Sequence, residues 1–181
     1  KKVIITNKID IIKNELIELG NKIHENPELS FNEYNAVENI TTMLEKHGFN
    51  IKKGIGGLET SFRAEYNTKG NGPTIAFLAE YDALPKIGHG CGHNLIATMA
   101  VGAAIGLKEV SNYIDGKIVV LGTPAEECGG GKIIMLEQGG FDDVDYALMM
   151  HPCTRNLICR GGLATRAVNI EYYGKAVHSS F

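Results

Sequence analysis

Thr74-Ile75-Ala76-Phe77-Leu78-Ala79-Glu80-Tyr81, Lys117-Ile118-Val119-Val120-Leu121-Gly122 and Asp145-Tyr146-Ala147-Leu148-Met149-Met150 are three short, mostly apolar runs, and what separates them decides the fold. Between the first two lies Asn94 to Val110, long and nearly all apolar, which reads as a buried helix. Between the last two, Gly131 to Gln138 reads as a short helix. Continuous apolar strands joined by helical crossovers predict a parallel or largely parallel sheet covered on both faces. Gly102, Ala103 and Gly106 predict that the long helix approaches its sheet closely.

Working outward, Ile9, Ile12, Leu16, Leu19 and Ile23 recur at helical spacing over residues 9 to 23 and predict an amphipathic packing helix. A second helix is predicted from Ser30, where Ser30 and Glu33 have the spacing of a capping box, with Val37, Ile40 and Leu44 carrying its stripe until Gly48. Pro27 forbids one continuous helix. Thr60 to Tyr66 alternates as a strand, with Phe62 and Ala64 on one face and Arg63 and Glu65 on the other. Beyond Pro152, Thr165 to Tyr173 alternates like an antiparallel or edge strand and Gly174-Lys175 breaks it. The expected architecture is therefore α/β, a three-layer sandwich with a mixed, largely parallel sheet, followed by the start of a second domain.

Composition narrows the function classes. The 181 residues carry 18 Lys plus Arg against 21 Asp plus Glu, a net charge of -3, which argues against a nucleic-acid binder. With 44% hydrophobic and 22% charged residues, the chain has apolar mass enough for a core, so disorder is excluded. No stretch reaches the roughly 18 to 20 apolar residues that cross a bilayer, and Leu95 to Leu107 is too short. The N-terminus lacks the apolar core and cleavage site of a signal peptide, so a cytoplasmic protein is expected. Cys91, Cys128, Cys153 and Cys159 form no Cys-x-x-Cys pair, so any functional cysteine is expected to be a reduced thiol or a metal ligand.

Ligands of open α/β sheets bind beyond the carboxyl ends of the strands, and metal-capable residues fall at those ends here. Asp82, His89, Cys91 and His93 follow the first strand, Glu126 and Glu127 the second, and His151 the third. Any one group has a plain alternative: a glycine-rich turn with incidental histidines, a solvated pair of acids, a strand-ending histidine. Three strand ends delivering imidazole, thiol and carboxylate to one rim favour a metal site. Zinc accepts every member of the set, while manganese or cobalt suits the harder ones. A surplus of ligands with a spare acid suggests two ions sharing a bridging group and a water, an arrangement suited to hydrolysis.

Leu78-Ala79-Glu80-Tyr81-Asp82-Ala83-Leu84-Pro85, Gly88-His89-Gly90-Cys91-Gly92-His93-Asn94, Thr123-Pro124-Ala125-Glu126-Glu127 and Met150-His151-Pro152 resemble, in order and approximate spacing, the metallo-amidohydrolase family of hippurate hydrolases, auxin-conjugate hydrolases, aminoacylases and aminobenzoyl-glutamate hydrolases. The upstream His24-Glu25-Asn26-Pro27-Glu28-Leu29-Ser30 is similar to that family's N-terminal segment. The resemblance implies two divalent ions, zinc or manganese ahead of cobalt or nickel. It implies Cys91 as the bridging thiolate, His93, His151 and Glu127 as further ligands, Glu126 as the general base, and Asp82 as an acid that orients a ligand. A further metal-binding histidine lies downstream in the family and has no counterpart here. Gly174-Lys175-Ala176-Val177-His178 resembles the opening of an inserted α+β lid and dimerisation domain, whose histidine reaches a substrate oxyanion, often across a dimer.

These resemblances imply a division at residues 1–160, the N-terminal part of the catalytic domain, and 161–181, the beginning of the inserted domain. They imply an incomplete chain, inactive by itself, and a homodimer formed through the inserted domain. The implied substrate is a small N-acyl or N-aminoacyl amino acid with a free carboxylate, of aminobenzoyl-glutamate or dipeptide type. No nucleic-acid or membrane partner is expected. Many relatives carry an acid and, two positions on, a histidine where this chain has Asn94 and Ile96, so the substrate pocket is expected to differ. Two rivals stand beside this reading. One is a cysteine amidase with Cys91 as nucleophile and His89 or His93 as base, which leaves Glu126, Glu127 and His151 without a role. The other is a metal-stabilised binding subunit without turnover, for which a second acid beside Glu127 has no use.

Overall fold

A computed structural model describes residues 1–158, 161, 168 and 170–175. Its elements, in chain order, are α1 (Lys2–Glu25), α2 (Tyr34–Lys46), β1 (Asn50–Lys53), β2 (Phe62–Asn67), β3 (Thr74–Ala79), α3 (His93–Lys108), β4 (Lys117–Gly122), α4 (Gly131–Glu137) and β5 (Tyr146–Leu148). The strands form one sheet in the order β1-β2-β4-β3-β5. β3 runs parallel to both β4 and β5, whereas β2 is antiparallel to β4 and to β1. The sheet is thus mixed, and its parallel half, β4-β3-β5, carries the three apolar runs.

Those runs are apolar on both sides because both sides are covered. In β4, Ile118 and Val120 enter a core built with α1, α2 and α3, while Val119 and Leu121 enter a second core with Ile55 and Met135 of α4. This period of two across a sheet with helices on both faces makes three layers. β2 behaves as its alternation predicts: Phe62 and Ala64 are fully buried, and Arg63 on the opposite face pairs with Glu65 and Asp143.

Two expectations are corrected, and one strand appears that the sequence did not announce. Gly102 and Gly106 do not face the sheet: a β-carbon at Gly102 would meet Leu16, and one at Gly106 would meet Ile5 and Ile9. The small residues therefore let α1 lie close on α3, on the opposite side of the helix from the strands. The capping box does not form, because α2 begins at Tyr34, four residues after Ser30. The free amides of its first turn, Asn35 and Ala36, are instead taken by the Glu28 carboxylate at 3.0 and 2.9 Å, which satisfies orphan donors from outside the helix. Finally, β1 has no signature in its sequence, Asn-Ile-Lys-Lys, and exists because β2 offers it an antiparallel edge. Of the strand expected over Thr165 to Tyr173, positions 168 and 170–173 are described and lie in no strand, and the other four fall outside the described residues.

Candidate metal centre

Because β3, β4 and β5 are parallel, the segments leaving their C-terminal ends share one rim. β3 is followed by Glu80 and Asp82, β4 by Glu126 and Glu127, and β5 by His151. α3 opens at His93 directly after Gly92, whose φ of +78° turns the chain from Cys91 into the helix.

His93 is the centre of the arrangement. Its side chain is 1% exposed, with Nδ1 3.0 Å from Asp82 Oδ1. Its Nε2 lies 3.4 Å from Glu80 Oε2, 3.7 Å from Glu127 Oε1 and 3.8 Å from Glu126 Oε2, yet none of these approaches makes a hydrogen bond. His93 Nε2, Glu80 Oε2 and Glu127 Oε1 are all buried without a partner. Two groups have ligand atoms mutually within 4.8 Å: Cys91, His93 and Glu127, and Glu80, His93 and His151. The His151 ring stands edge-on to that of His93 at 6.1 Å between centroids.

Asp82 fixes the other side of His93. Its Oδ2 accepts from the Ser30 hydroxyl at 2.9 Å and from the backbone N–H of Glu127 at 3.0 Å. Burial alone would raise its pKa, but the bonds from His93, Glu127 and Ser30 outweigh that and hold it at about 2. Burial likewise pulls the His93 imidazolium down, while Asp82 and the charges of Glu80 and Glu127 more than reverse it, so the ring titrates above its ordinary value. The Cys91 thiol is pushed up to about 11 by its hydrogen bond to Glu127, by burial, and by the charges of Glu127, Glu126 and Asp82. Glu126 is raised by burial and by its neighbours Glu80 and Glu127, with Lys132 and His93 opposing.

The residues fit a divalent cation on their own chemistry. Partnerless buried ligand atoms from an imidazole and two carboxylates, beside a thiol that anions keep protonated, are what a cation would neutralise. The carboxylate–imidazole pairing of Asp82 and His93 is the outer-shell device that orients a ligating ring. One nitrogen lone pair serves one ion, so two overlapping groups sharing His93 Nε2 describe neighbouring positions rather than two complete sites.

A model of peptidase family M20/M25/M40 matches residues 76–176, more than half the chain. The chain belongs to that family. Within the curated proteins, this M20 chain is similar to a Xaa-Arg dipeptidase of Mus musculus, 40% identical over 96% of this chain and 43% of the relative. It is also similar to one of the subunits of the p-aminobenzoyl-glutamate hydrolase of Escherichia coli (strain K12), 36% identical over 82% of this chain and 34% of the relative. In fold it resembles a Bacillus subtilis dinuclear metal binding peptidase of the M20 family, with 30% identity and a TM-score of 0.69 over 76% of this chain and 42% of that one. The chain thus spans less than half the length of these relatives.

Within the M20 chain, Cys91, His93, Glu126, Glu127, Asp82 and His151 all gather at the rim, and His178 lies outside the described residues. His89 does not join them. It is buried with its ring 6.2 Å from that of His24. At the two positions expected to alter the substrate pocket, the Asn94 amide donates to Gly20 O of α1, and Ile96 is buried. Glu80 was missed as a site residue. An acid at the end of an apolar strand, one position before a buried Tyr81, was the available signal. Glu80 Oε1 is ion-paired with Lys132 of α4, which leaves Oε2 toward His93.

Proposed function

We propose that this M20 chain contributes to a hydrolase that cleaves the amide bond of small N-acyl or N-aminoacyl amino acids with a metal-activated water. The observation that carries the reading is the partnerless Nε2 of buried His93, faced by Glu80, Glu126 and Glu127 while Nδ1 is held by Asp82. The names of the similar mouse and E. coli proteins, a dipeptidase and an aminobenzoyl-glutamate hydrolase, support the substrate class. We assign Cys91, His93, Glu127 and His151 as ligands of two divalent ions, zinc or manganese, with Asp82 orienting His93. When bound, such ions supply Lewis-acid polarisation of the scissile carbonyl and lower the pKa of water.

The chain's own residues supply the rest. Glu126 is 45% exposed at the mouth of the centre, where water reaches it. Its raised pKa brings it nearer the operating pH of a general base that takes a proton from water and delivers it to the leaving nitrogen. Lys132 is ion-paired with Glu80, whose other oxygen faces His93. The anionic surroundings of Cys91 weigh against the rival nucleophile, since a nucleophilic cysteine needs a cationic neighbourhood that favours thiolate. Residues 1–160 are proposed as part of the catalytic domain and 161–181 as the opening of an inserted domain. His178 would act on substrate from that domain in a cytoplasmic homodimer. Among the described residues no helix is long and apolar enough to cross a membrane.

Replacing Glu126 with Gln in the complete protein is expected to lower kcat on N-acyl amino acids and dipeptides by about 10²- to 10⁴-fold while leaving metal content unchanged. Glu127→Gln is expected to lower both. Loss of metal equal to the loss of activity in Glu126→Gln would mean that the acids are wrongly assigned. Activity that survives chelation but not thiol alkylation would overturn the reading in favour of Cys91 as nucleophile.

A further inference from the structure

Ala125 precedes the two acids and is fully buried with φ of +57°, a left-handed conformation that a residue with a β-carbon rarely adopts. Phe31, 94 positions earlier, has φ of +66°. The backbone N–H of each donates to the same oxygen, Glu33 Oε1, at 2.9 Å. Glu33 is 0% exposed. One buried carboxylate therefore joins two left-handed residues that lie far apart in the chain, and one of them begins the Glu126-Glu127 turn.

The neighbouring residues continue the same seam. A β-carbon at Gly129, on the far side of the acids, would lie 2.4 Å from the Phe31 ring, so the ring is seated in the turn. Ser30 donates to Asp82, the acceptor of the Glu127 amide. Leu29 bridges to Ala83, and the Ala83 amide donates to Glu28 O at 2.8 Å. Residues 28–33 thus lie along the loops after β3 and β4 that carry Asp82 and the two acids.

We infer that Glu33 is a positioning residue for Glu126 and Glu127, its carboxylate holding the Ala125 amide in the left-handed turn from which both acids reach the metal centre. Glu33 reaches the two acids through the Ala125 amide and through Phe31, whose ring lies in the same turn. This rests on the assignment of Glu126 as base and Glu127 as ligand. A left-handed residue with a β-carbon persists only where its surroundings over-determine it; the Ala125 carbonyl accepts from the Gly131 amide at 3.3 Å, and the Glu33 bond is the side-chain constraint on its amide. Without that bond the turn relaxes toward ordinary φ, carrying both acids with it.

The test compares Glu33→Leu, Glu33→Gln and Glu33→Leu/Ala125→Gly in the complete protein, reading kcat, KM and zinc affinity by chelator competition. Leucine removes the acceptor. It is expected to lower kcat by about 10²-fold, as displacement of a catalytic group by an ångström does, and zinc affinity by about tenfold, with little change in KM. Glutamine keeps an acceptor oxygen and is expected to retain more of both. Glycine at 125 adopts positive φ without strain, so it is expected to restore part of what leucine removed. A role in packing alone would not be rescued this way, and absence of rescue overturns the inference. So does Glu33→Leu with parental kcat and zinc affinity while Glu126→Gln is inactive. A fully active Glu126→Gln instead sinks the proposed function. Should Glu33→Leu fail to fold, Glu33→Gln against Glu33→Gln/Ala125→Gly makes the same comparison, with unchanged kcat and zinc affinity in Glu33→Gln overturning the inference.

Discussion

Glu33 has an energetic oddity that separates it from ordinary core residues. Burial raises its pKa above 4.5, and the Thr60 hydroxyl and the backbone amides only partly offset this. A carboxyl whose folded pKa is raised binds its proton more tightly when folded, so its contribution to stability is largest below the unfolded value and declines as pH rises through the folded one. Glu33→Gln has no such decline. The melting temperature of Glu33→Gln relative to the parent is therefore expected to shift in favour of the variant between about pH 4 and pH 7; a flat or opposite trend would show that the carboxyl is not strained by burial. Asp82→Asn is expected to lower zinc affinity by about 10- to 100-fold through loss of orientation of His93, measured by chelator competition. At this scale the ligand types were legible in the sequence because imidazole, thiol and carboxylate recur at strand ends. Glu33 and Glu80 were not. Glu33 sits at the third position of a plausible capping box, and only tertiary contact sends its oxygen to Ala125 instead of to a helix amide. Glu80 looks like the polar end of a strand until Lys132 and His93 are seen on either side of it.

Among the elements, the pairing of α1 with α3 is where side-chain size is most tightly limited. Gly106 would place a β-carbon 3.1 Å from Ile5 and 3.2 Å from Ile9, so a large side chain there must push α1 outward. Gly106→Leu is expected to destabilise the protein by about 1–3 kcal/mol, the usual result of overpacking, read from the urea midpoint. Ala103→Leu is the comparison, since Ala103 is only partly buried; an equal loss in both would mean that helix spacing is not what Gly106 protects. The same glycines show how far periodicity reaches. It identifies a buried helix with small residues, but a helix apolar all round has no preferred face in its sequence, so the side receiving α1 is known only from the packing. The strands were more legible, because β4 has to satisfy two cores and its unbroken apolar run says so. β1 carries no such signal, being defined by the edge that β2 presents.

Across the whole molecule, a cation binding only the folded form adds stability by mass action, about 2.7 kcal/mol when the free ion is at 100 times its dissociation constant. Zinc or manganese is expected to raise the melting temperature of the parent and to leave that of His93→Ala nearly unchanged; an equal rise in both would place the ion elsewhere. The proposed ligands are separated by long stretches of chain, from Cys91 to His151, and the seam that orders the acids begins at residue 28. That separation has a consequence in time. A chain leaving the ribosome exposes Cys91 and His93 before Glu127 has been synthesised, and β3 and β4 can pair before β5 and His151 exist. Any ion caught then would meet a loose thiol and imidazole rather than the finished rim. Loading is therefore expected to follow the docking of β5 on β3, which brings His151 to Glu80 and His93.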